Sequence, residues 1–346
     1  MEMKRIIALL LICTMAAAIL GGCADTPAGN PEDTAGTTGP TQTEDEGGYT
    51  HRVILLSDTH YMSDESKRLY EALYPGSNAS DAVGDAFGYT QTEKMQAIRD
   101  DIALFMETNT VDAVLTLGDL ATDDYGYRNL AHNFGLKYKE EVMDSFPCPA
   151  YALPGNHDSY PNDMWYEMFG YDRQFSVKIG DAAFIMLDTY PDTSTASASG
   201  VDYAGIDSEW LAQELEKYPT EQIFICTHYV EPSEYDYAFN KILKENDRIV
   251  CAFMGHSHGN ELLLPEGLDN RWLINVSGYA YKSEKVDGQW QFDRFDEKWA
   301  WGFGVLEWND TEAHYYHVKY PRTYIGRNGT FDYAGAIEDE VTIKFK

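Results

Sequence analysis

Five short apolar segments of this chain each end in side chains that can bind a metal ion. Each segment has the composition of a buried β-strand, because it is a short run of mainly apolar residues bounded by polar ones. In sheets whose strands alternate with helices, binding sites concentrate at the carboxyl ends of the strands. Folding alone does not explain metal-binding residue types at five strand ends, so the sequence predicts a metal site. The residues that follow the segments are, in chain order, Asp58 and His60, Asp119, Asn156, His228, and His256 and His258.

Two of these segments end in a pair of such residues separated by one position. Residues i and i+2 that leave a strand point the same way, so we expect Asp58 with His60, and His256 with His258, to approach one site. Oxygen and imidazole ligands without a thiolate suit Mn, Fe, Zn, Co or Ni. Seven ligand side chains exceed the needs of one ion with an open position, and a carboxylate can bridge two ions. The sequence therefore predicts a site for two divalent or trivalent transition-metal ions.

The segment Ala150–Leu153 runs into Pro154-Gly155-Asn156-His157-Asp158. Proline and glycine favour a tight turn at this point. Asn156 offers a neutral oxygen to a metal, and His157 follows it directly. Asp158 either orients a neighbour or caps the next segment, and the sequence leaves both interpretations open.

The remaining pattern predicts an α/β fold with mixed sheets and helices on the outside. Residues 90–93 form a capping box before an apolar stripe at Met95, Ile98, Ile102 and Phe105. Further helices are expected within 129–145 and at 208–218 and 239–244, and strands at 175–179, 182–187, 222–226, 249–254, 272–276, 302–308 and 313–318, the last of these closing the chain. No repeat or second linker is visible, so residues 51–346 are predicted to form a single domain with late hairpin strands.

The first 22 residues have the layout of a secretory signal peptide, with Lys4-Arg5 before an apolar run that is too short for a comfortable membrane span. The run ends in Leu20-Gly21-Gly22-Cys23, which resembles a bacterial lipobox. This resemblance implies that Cys23 is lipid-modified. Residues 23–50 then form a flexible acidic tether, rich in Thr, Gly, Pro, Asp and Glu. We expect an extracytoplasmic protein, anchored to the bacterial cell membrane through the lipid alone.

The chain is strongly acidic, with a formal net charge of -31. This charge argues against a nucleic acid polymer as a partner, because phosphates would be repelled, and it favours a small soluble substrate. Beyond the leader and Cys23, the chain contains Cys148, Cys226 and Cys251, an odd number that does not form a disulfide framework. Cys226 and Cys251 lie in strand-like runs and are expected to be small buried residues, although a disulfide between them stays open.

The polar residues at the strand ends fall in the order found in one known superfamily. The sequence resembles the calcineurin-like metallophosphoesterases in the blocks Asp58-x-His60, Gly118-Asp119, Gly155-Asn156-His157-Asp158, His228 and Gly255-His256-x-His258. The resemblance implies a four-layer α/β/β/α sandwich of two mixed sheets with a dinuclear metal centre. It implies that one ion is held by Asp58, His60, Asp119 and His258, and the other by Asp119, Asn156, His228 and His256, with Asp119 as the bridge.

The same resemblance implies hydrolysis of a phosphomonoester or phosphodiester by hydroxide that the two metals make available, with His157 as general acid. Thr122-Asp123-Asp124 lacks the Arg-Gly of protein phosphatases, which disfavours that class and leaves Asp123 only as a guess for the partner that orients His157. Thr122 also replaces the Tyr ligand of purple acid phosphatases, and the end of the chain at Lys346 disfavours a secreted nucleotidase. An alternative is a catalytically idle, lipid-anchored envelope binding protein on the same fold, but the complete ligand set favours an enzyme.

Two features near the motifs have open roles. Segment 61–89 leaves directly from the first motif and is predicted to be either a lid over the site or an uninvolved surface loop. Five aromatic residues in loops or at strand ends either stack on a base or sugar of the substrate or pack in the interior; they are Tyr229, Tyr279, Tyr281, Trp299 and Trp301.

Overall fold

The structure, a computed structural model, describes residues 48–62, 86–121, 134–193, 200–231, 237–265, 271–276, 278–287, 289–292, 295, 297–326 and 328–346. Within these residues the chain forms two six-stranded mixed sheets and two separate two-stranded hairpins. The predicted leader, Cys23, the tether up to residue 47, residues 122–124 and most of segment 61–89 lie outside the described residues. What the sequence predicts for them therefore stays a prediction.

The first sheet places strand β1 at its centre. β1 (His51–Leu56) pairs in parallel with β2 (Ala113–Leu117), which pairs in parallel with β3 (Ala150–Leu153). On its other side β1 pairs antiparallel with β12 (Phe303–Trp308), followed by β13 (Glu312–Lys319) and β16 (Ala336–Lys344). The carboxyl ends of β1, β2 and β3 therefore share one edge of this sheet.

The second sheet contains four neighbouring parallel strands. Its order is β4 (Phe175–Ile179), β5 (Ala182–Leu187), β6 (Gln222–Thr227), β7 (Ile249–Met254), β9 (Leu273–Asn275) and β8 (Glu261–Leu263). The hairpin of β4 and β5 is antiparallel, as predicted, and β5, β6, β7 and β9 run parallel. The carboxyl ends of β6 and β7 thus share an edge as well.

The alternation of side chains along β5 shows how the layers stack. Ala182, Phe184 and Met186 belong to the core that also contains the first sheet. Ala183, Ile185 and Leu187 belong to a second core with residues of the outer helices. Because successive strand residues point to opposite faces, the second sheet lies between the first sheet and a helical layer. Phe303 of the first sheet contacts Phe105 of the helix that begins at residue 91, whereas Trp308, on the opposite face of the same strand, contacts Phe184 of the second sheet. The helix therefore packs on the other face of the first sheet, and the predicted α/β/β/α order is confirmed.

The helices begin and end close to the predicted positions. Helix α1 (Gln91–Met106) begins at the predicted capping box, in which Thr90 and Glu93 accept each other's backbone N–H groups, and it buries the predicted apolar stripe. The other helices are α2 (Phe134–Glu141), α3 (Asn162–Phe169), α4 (Ser208–Leu215) and α5 (Tyr237–Glu245). Helix α3 was not predicted. None of the helices in the described part of the chain has the length and apolar character that a membrane span requires.

The prediction that the strand at 313–318 closes the chain is wrong. The hairpin of β14 (Arg322–Gly326) and β15 (Gly329–Tyr333) follows it, and β16 then joins the edge of the first sheet. A second hairpin, β10 (Ser283–Val286) with β11 (Gln289–Phe292), also lacked a clear signal. β16 is largely exposed, so its sequence contains no buried apolar run of the kind that marks the inner strands. Cys226 and Cys251 are buried free thiols, as predicted.

Candidate metal centre

The ends of five strands from both sheets converge on one place. Asp58 and His60 follow β1, Asp119 follows β2, and Asn156 follows β3, while His228 and His256 follow β6 and β7 of the other sheet. Two hydrogen bonds join the sheets at this point. The His256 backbone N–H donates to Asp58 Oδ2 at 2.8 Å, and His228 Nδ1 lies 2.7 Å from the Leu117 carbonyl oxygen. All seven predicted metal-binding side chains are therefore brought together.

One group of donor atoms contains Asp58, His60, Asp119 and His258, whose ligand atoms lie within 4.8 Å of one another. His60 Nε2 is 3.6 Å from Asp119 Oδ2 and 3.1 Å from His258 Nε2. His258 Nε2 is in turn 3.5 Å from Asp58 Oδ1. This group has two carboxylate oxygens and two imidazole nitrogens facing a common centre, and it could hold a transition-metal ion.

A second group contains Asp119, His228 and His256, and Asn156 lies among them. His228 Nε2 is 3.4 Å from Asp119 Oδ2 and 3.1 Å from Asn156 Oδ1. His256 Nδ1 is 3.0 Å from the same Asn156 oxygen. Asp119 Oδ2 thus belongs to both groups, in the position of a bridge.

The backbone fixes which nitrogen of two histidines faces the centre. His228 Nδ1 lies against the Leu117 carbonyl, and His258 Nδ1 lies 2.6 Å from the Tyr281 carbonyl oxygen. A carbonyl oxygen only accepts hydrogen bonds, so each Nδ1 carries the proton and donates it. In the neutral rings Nε2 then presents its lone pair to the centre. Such contacts orient imidazole ligands in metal sites.

The residues present fit metal ions because several buried hydrogen-bond acceptors lie close together, and too few protons lie between them. Asp58 and His60 are fully buried, and Asp58 Oδ1 has no hydrogen-bond donor among the described residues. In the second group, His228 Nε2 faces the oxygens of Asp119 and Asn156, so either a proton or a metal ion must lie between these atoms. Such buried acceptors repel one another unless positive charge lies between them. A cation in each group would satisfy them.

The pKa values of the residues at the centre are shifted by burial and by their close neighbours. Burial would raise the pKa of Asp119, but the neighbouring imidazoles, His228 first among them, hold it well below its ordinary value. Burial lowers the pKa of His60 well below its ordinary value, so this imidazole is neutral at pH 7. For His228 burial acts in the lowering direction, but Asp119 outweighs it and raises the pKa to about 9. Without a cation, His228 therefore carries the positive charge that Asp119 requires.

The backbone at the centre is left-handed, which corrects the geometric reason for the paired motifs. We expected Asp58 with His60, and His256 with His258, to approach one site because residues i and i+2 that leave a strand point the same way. Both pairs do reach the centre, but through left-handed turns and not through strand geometry. Only eight non-glycine residues of the described chain have positive φ, and five are predicted ligands. Left-handed backbone costs free energy at such residues and concentrates at functional sites. The five φ values are 51° at Asp58, 43° at His60, 50° at Asp119, 69° at His256 and 61° at His258.

Two glycines let the loops approach closely enough for this geometry. A Cβ atom at Gly155 would lie 2.3 Å from Asp119 Oδ1, and one at Gly255 would lie 1.7 Å from Ser57 Oγ. No side chain fits at these distances. Each glycine precedes a predicted ligand in its motif, so its role is to admit the neighbouring loop.

His157 and Asp158 have different surroundings. The His157 backbone N–H donates to Asp119 Oδ1 at 2.8 Å, which leaves Oδ2 for the two donor groups. The His157 ring is half-buried and stands edge-on to the His60 ring, with centroids 5.2 Å apart. It lies beside the centre and outside both donor groups.

Asp158 is fully buried and ties two loops of the centre together. Its Oδ2 accepts the backbone N–H groups of Gly155 at 2.9 Å and Leu120 at 3.1 Å. Its Oδ1 accepts the N–H of Ala121 at 3.4 Å. Of the two interpretations left open by the sequence, Asp158 orients its neighbours: it holds the loop of Asp119 against the loop of Asn156.

Four of the five aromatic residues divide into two sets, and Trp299 belongs to neither. Tyr229 lies 4.5 Å from His256 between ring centroids, and Tyr281 lies 5.4 Å from His60. Both contact the centre. Tyr279 and Trp301 are buried and contact each other in the core, so for them the packing interpretation is confirmed. Trp299 is partly exposed, and the Lys282 ammonium lies 3.3 Å from its ring centroid.

Sequence reasoning missed Lys94 and Gln91 of helix α1. Both side chains are buried, and both contact the backbone of the loop that carries His60. A signal was present, because Gln91 and Lys94 fall on the same helical face as Met95 and Ile98. Polar residues on an otherwise apolar helical stripe are candidates for a buried interaction.

Comparison with known proteins agrees with the fold and the motifs. Residues 51–260 match the family model of the calcineurin-like phosphoesterases, which is more than half of the chain. The chain therefore belongs to this family, and the resemblance seen in the sequence is confirmed.

Individual relatives are distant. A stretch of 127 residues is 28% identical to the probable glycerophosphodiester phosphodiesterase GpdQ of Arcobacter nitrofigilis and covers 34% of this chain. This chain spans 41% of the length of that relative. A dimetal phosphatase from Danio rerio superposes with a TM-score of 0.52 at 12% identity, over 86% of this chain and 100% of that one.

A purple acid phosphatase, PPD1 from yellow lupin (Lupinus luteus) seeds, gives the same TM-score of 0.52 at 14% identity, over 85% of this chain and 53% of that one. At such low identities, the likeness to either structure shows a shared fold and nothing finer.

Replacement of Asp158 by Ala should destabilise the fold by removing three buried acceptor contacts. We expect a loss of about 1–3 kcal/mol for each backbone N–H left without a partner, and a smaller loss for Asp158→Asn, which keeps one oxygen. Urea unfolding with a chelator present measures the difference without any contribution from bound metal. The exposed Asp172→Ala serves as control and should change little. Wild-type stability of Asp158→Ala would show that these contacts do not hold the loops.

Proposed function

We propose that this protein is a metal-dependent phosphoesterase that hydrolyses small phosphodiesters or phosphomonoesters. One observation carries the proposal: Asp119 Oδ2 lies 3.6 Å from His60 Nε2 and 3.4 Å from His228 Nε2, so a single buried carboxylate oxygen faces two separate donor groups. Family membership supports the reaction class. The glycerophosphodiester phosphodiesterase relative makes phosphodiesters the first substrates to test.

In this proposal two ions share the Asp119 carboxylate. The first would be held by Asp58, His60 and His258, and the second by Asn156, His228 and His256. When bound, such ions supply Lewis-acid stabilisation of phosphoryl oxygens and lower the pKa of water. Asn156 completes its group with a neutral oxygen, so that group gains a ligand without gaining negative charge.

His157 is proposed as the general acid. Its backbone is held by Asp119 Oδ1, and its ring lies against His60 outside the two donor groups. A ring in this position can reach the departing oxygen of a substrate whose phosphoryl group lies at the centre. It would donate a proton to the leaving alkoxide.

The net charge of the chain narrows the range of substrates that the site can bind. With a net charge of -31, a long polyanion is repelled over most of the surface, whereas a small phosphoester meets mainly the local field of the site. Tyr229 and Tyr281 offer aromatic contacts beside the donor groups, so they are candidates to contact the alcohol part of the ester.

Replacement of His157 by Ala should slow turnover according to the leaving group. For an alkyl phosphodiester we expect kcat to fall about 10²- to 10⁴-fold, because the alkoxide needs a proton. For bis-p-nitrophenyl phosphate the fall should be much smaller, because nitrophenolate leaves without one. Metal content by elemental analysis should stay at the wild-type value. His314→Ala, at a distant histidine, is the control. Equal losses for both substrates would remove the acid role.

Metal binding should release protons at neutral pH. The pKa of His228 is raised to about 9, so below that pH a proton occupies the position that a cation would take. Affinity for Mn²⁺ or Zn²⁺ is therefore expected to rise with pH and to level off above about pH 9. Isothermal titration calorimetry at pH 7.5, in two buffers of different ionisation enthalpy, counts the protons. Binding without proton release would contradict the assignment of His228 to the centre.

We also propose that the protein is anchored outside the bacterial cell membrane through a lipid on Cys23, on the basis of the Leu20-Gly21-Gly22-Cys23 sequence. Cells grown with labelled palmitate should incorporate label into the wild-type protein and not into Cys23→Ser, which should leave the membrane fraction. Equal or absent labelling of both would refute the anchor and leave the phosphoesterase proposal untouched.

A further inference from the structure

Helix α1 contacts the loop of His60 through two buried polar side chains. Lys94 is 1% exposed, and its Nζ donates to the His60 carbonyl oxygen at 3.1 Å. Gln91 is fully buried, and its Oε1 accepts the Met62 backbone N–H at 3.1 Å. The two residues lie one helical turn apart and hold the backbone on either side of Tyr61.

His60 needs such support more than His228 and His258 do. His228 and His258 are each fixed by a hydrogen bond from Nδ1 to a backbone carbonyl. His60 Nδ1, in contrast, has no hydrogen-bond partner among the described residues. Its backbone is left-handed, with φ at 43°. The position of the His60 ring is therefore set through its backbone and through packing against neighbouring rings.

A buried amino group is a costly way to stabilise a loop. Its removal from water is unfavourable, and an apolar side chain of similar length, such as Met, could fill the same space. Helix α1 already has an apolar face that packs on the first sheet. Stability alone thus gives no reason for a lysine at position 94. The His60 backbone does give one, because it is left-handed and its carbonyl accepts the hydrogen bond from Lys94.

We propose that Lys94 is a positioning residue of the metal centre: its amino group donates to the His60 carbonyl and so keeps His60 Nε2 directed at the donor group of Asp58, Asp119 and His258. Gln91 supports the same loop at Met62, two residues after His60. This inference rests on the proposed function, since it assigns Lys94 to one of the two proposed ion sites. The second group shares Asp119 but contains no side chain from this loop, so we expect it to depend less on Lys94.

The test compares Mn²⁺ binding by calorimetry in the wild type, Lys94→Met and Lys94→Gln. Loss of a contact that orients a ligand typically weakens metal affinity about 10- to 100-fold. We expect a weakening in this range for one of two ions in Lys94→Met, with the other ion unchanged. Lys94→Gln keeps a polar end group on a shorter side chain, which withdraws the donor from the His60 carbonyl, so it should weaken the binding of the same ion. It decides the question if Lys94→Met does not fold.

Turnover supplies a second readout. With excess Mn²⁺, kcat of Lys94→Met should return toward the wild-type value, and KM for the substrate should not change. Ile98→Ala is the matched control, because Ile98 is fully buried in the same helix. It should lower Tm without changing the affinity for either ion.

The outcomes separate the two proposals. If the wild-type protein binds no metal and hydrolyses no phosphoester, the proposed function fails. If the wild type binds two ions and is active but the Lys94 variants bind both ions as tightly, only the positioning role is overturned. Equal weakening of both ions, or the same weakening in Ile98→Ala, would likewise overturn it, because it would indicate general loosening of the fold.

Discussion

Mutual repulsion of buried acceptor atoms around Asp119 is the constraint on which the rest of the centre depends. Asp119 Oδ2 lies within 3.6 Å of imidazole nitrogens from both sheets, and Asp58 Oδ1 is buried among the described residues without a donor. Such an arrangement is unfavourable unless positive charge compensates it. A proton on His228 supplies part of this charge, as its raised pKa indicates. Cations supply more, so the protein is organised to favour their binding.

The fold tolerates this crowding because every part of the centre is attached to a strand end in a packed sheet. Parallel strands deliver Asp58 and Asp119 from one sheet, and His228 from the other, to a common edge. The left-handed turns and the glycine contacts bring the loops closer than ordinary turns allow. Asp158 and Lys94 then fix the loop backbones from behind. The favourable free energy of packing in the hydrophobic layers compensates for the unfavourable free energy of the site.

The sequence predicted the inner strands and the donor set, because buried strands are apolar runs and the polar residues that end them are conspicuous. It could not predict the left-handed backbone at His60 or Asp119, since histidine and aspartate carry no signal comparable to glycine. It also missed partners that are backbone atoms, such as the carbonyl oxygens of Leu117 and Tyr281. The edge strand β16 was missed because its exposed residues lack a buried pattern. Lys94 was missed because lysine is ordinarily a surface residue.

The most direct measurement is anomalous diffraction from crystals of the protein grown with Mn²⁺. We expect two anomalous peaks beside the Asp119 carboxylate, one near Asp58, His60 and His258, and the other near Asn156, His228 and His256. A protein without ordered ions at Asp119 at saturating Mn²⁺, or one with a single ion that both groups share, would contradict the dinuclear centre and the mechanism built on it.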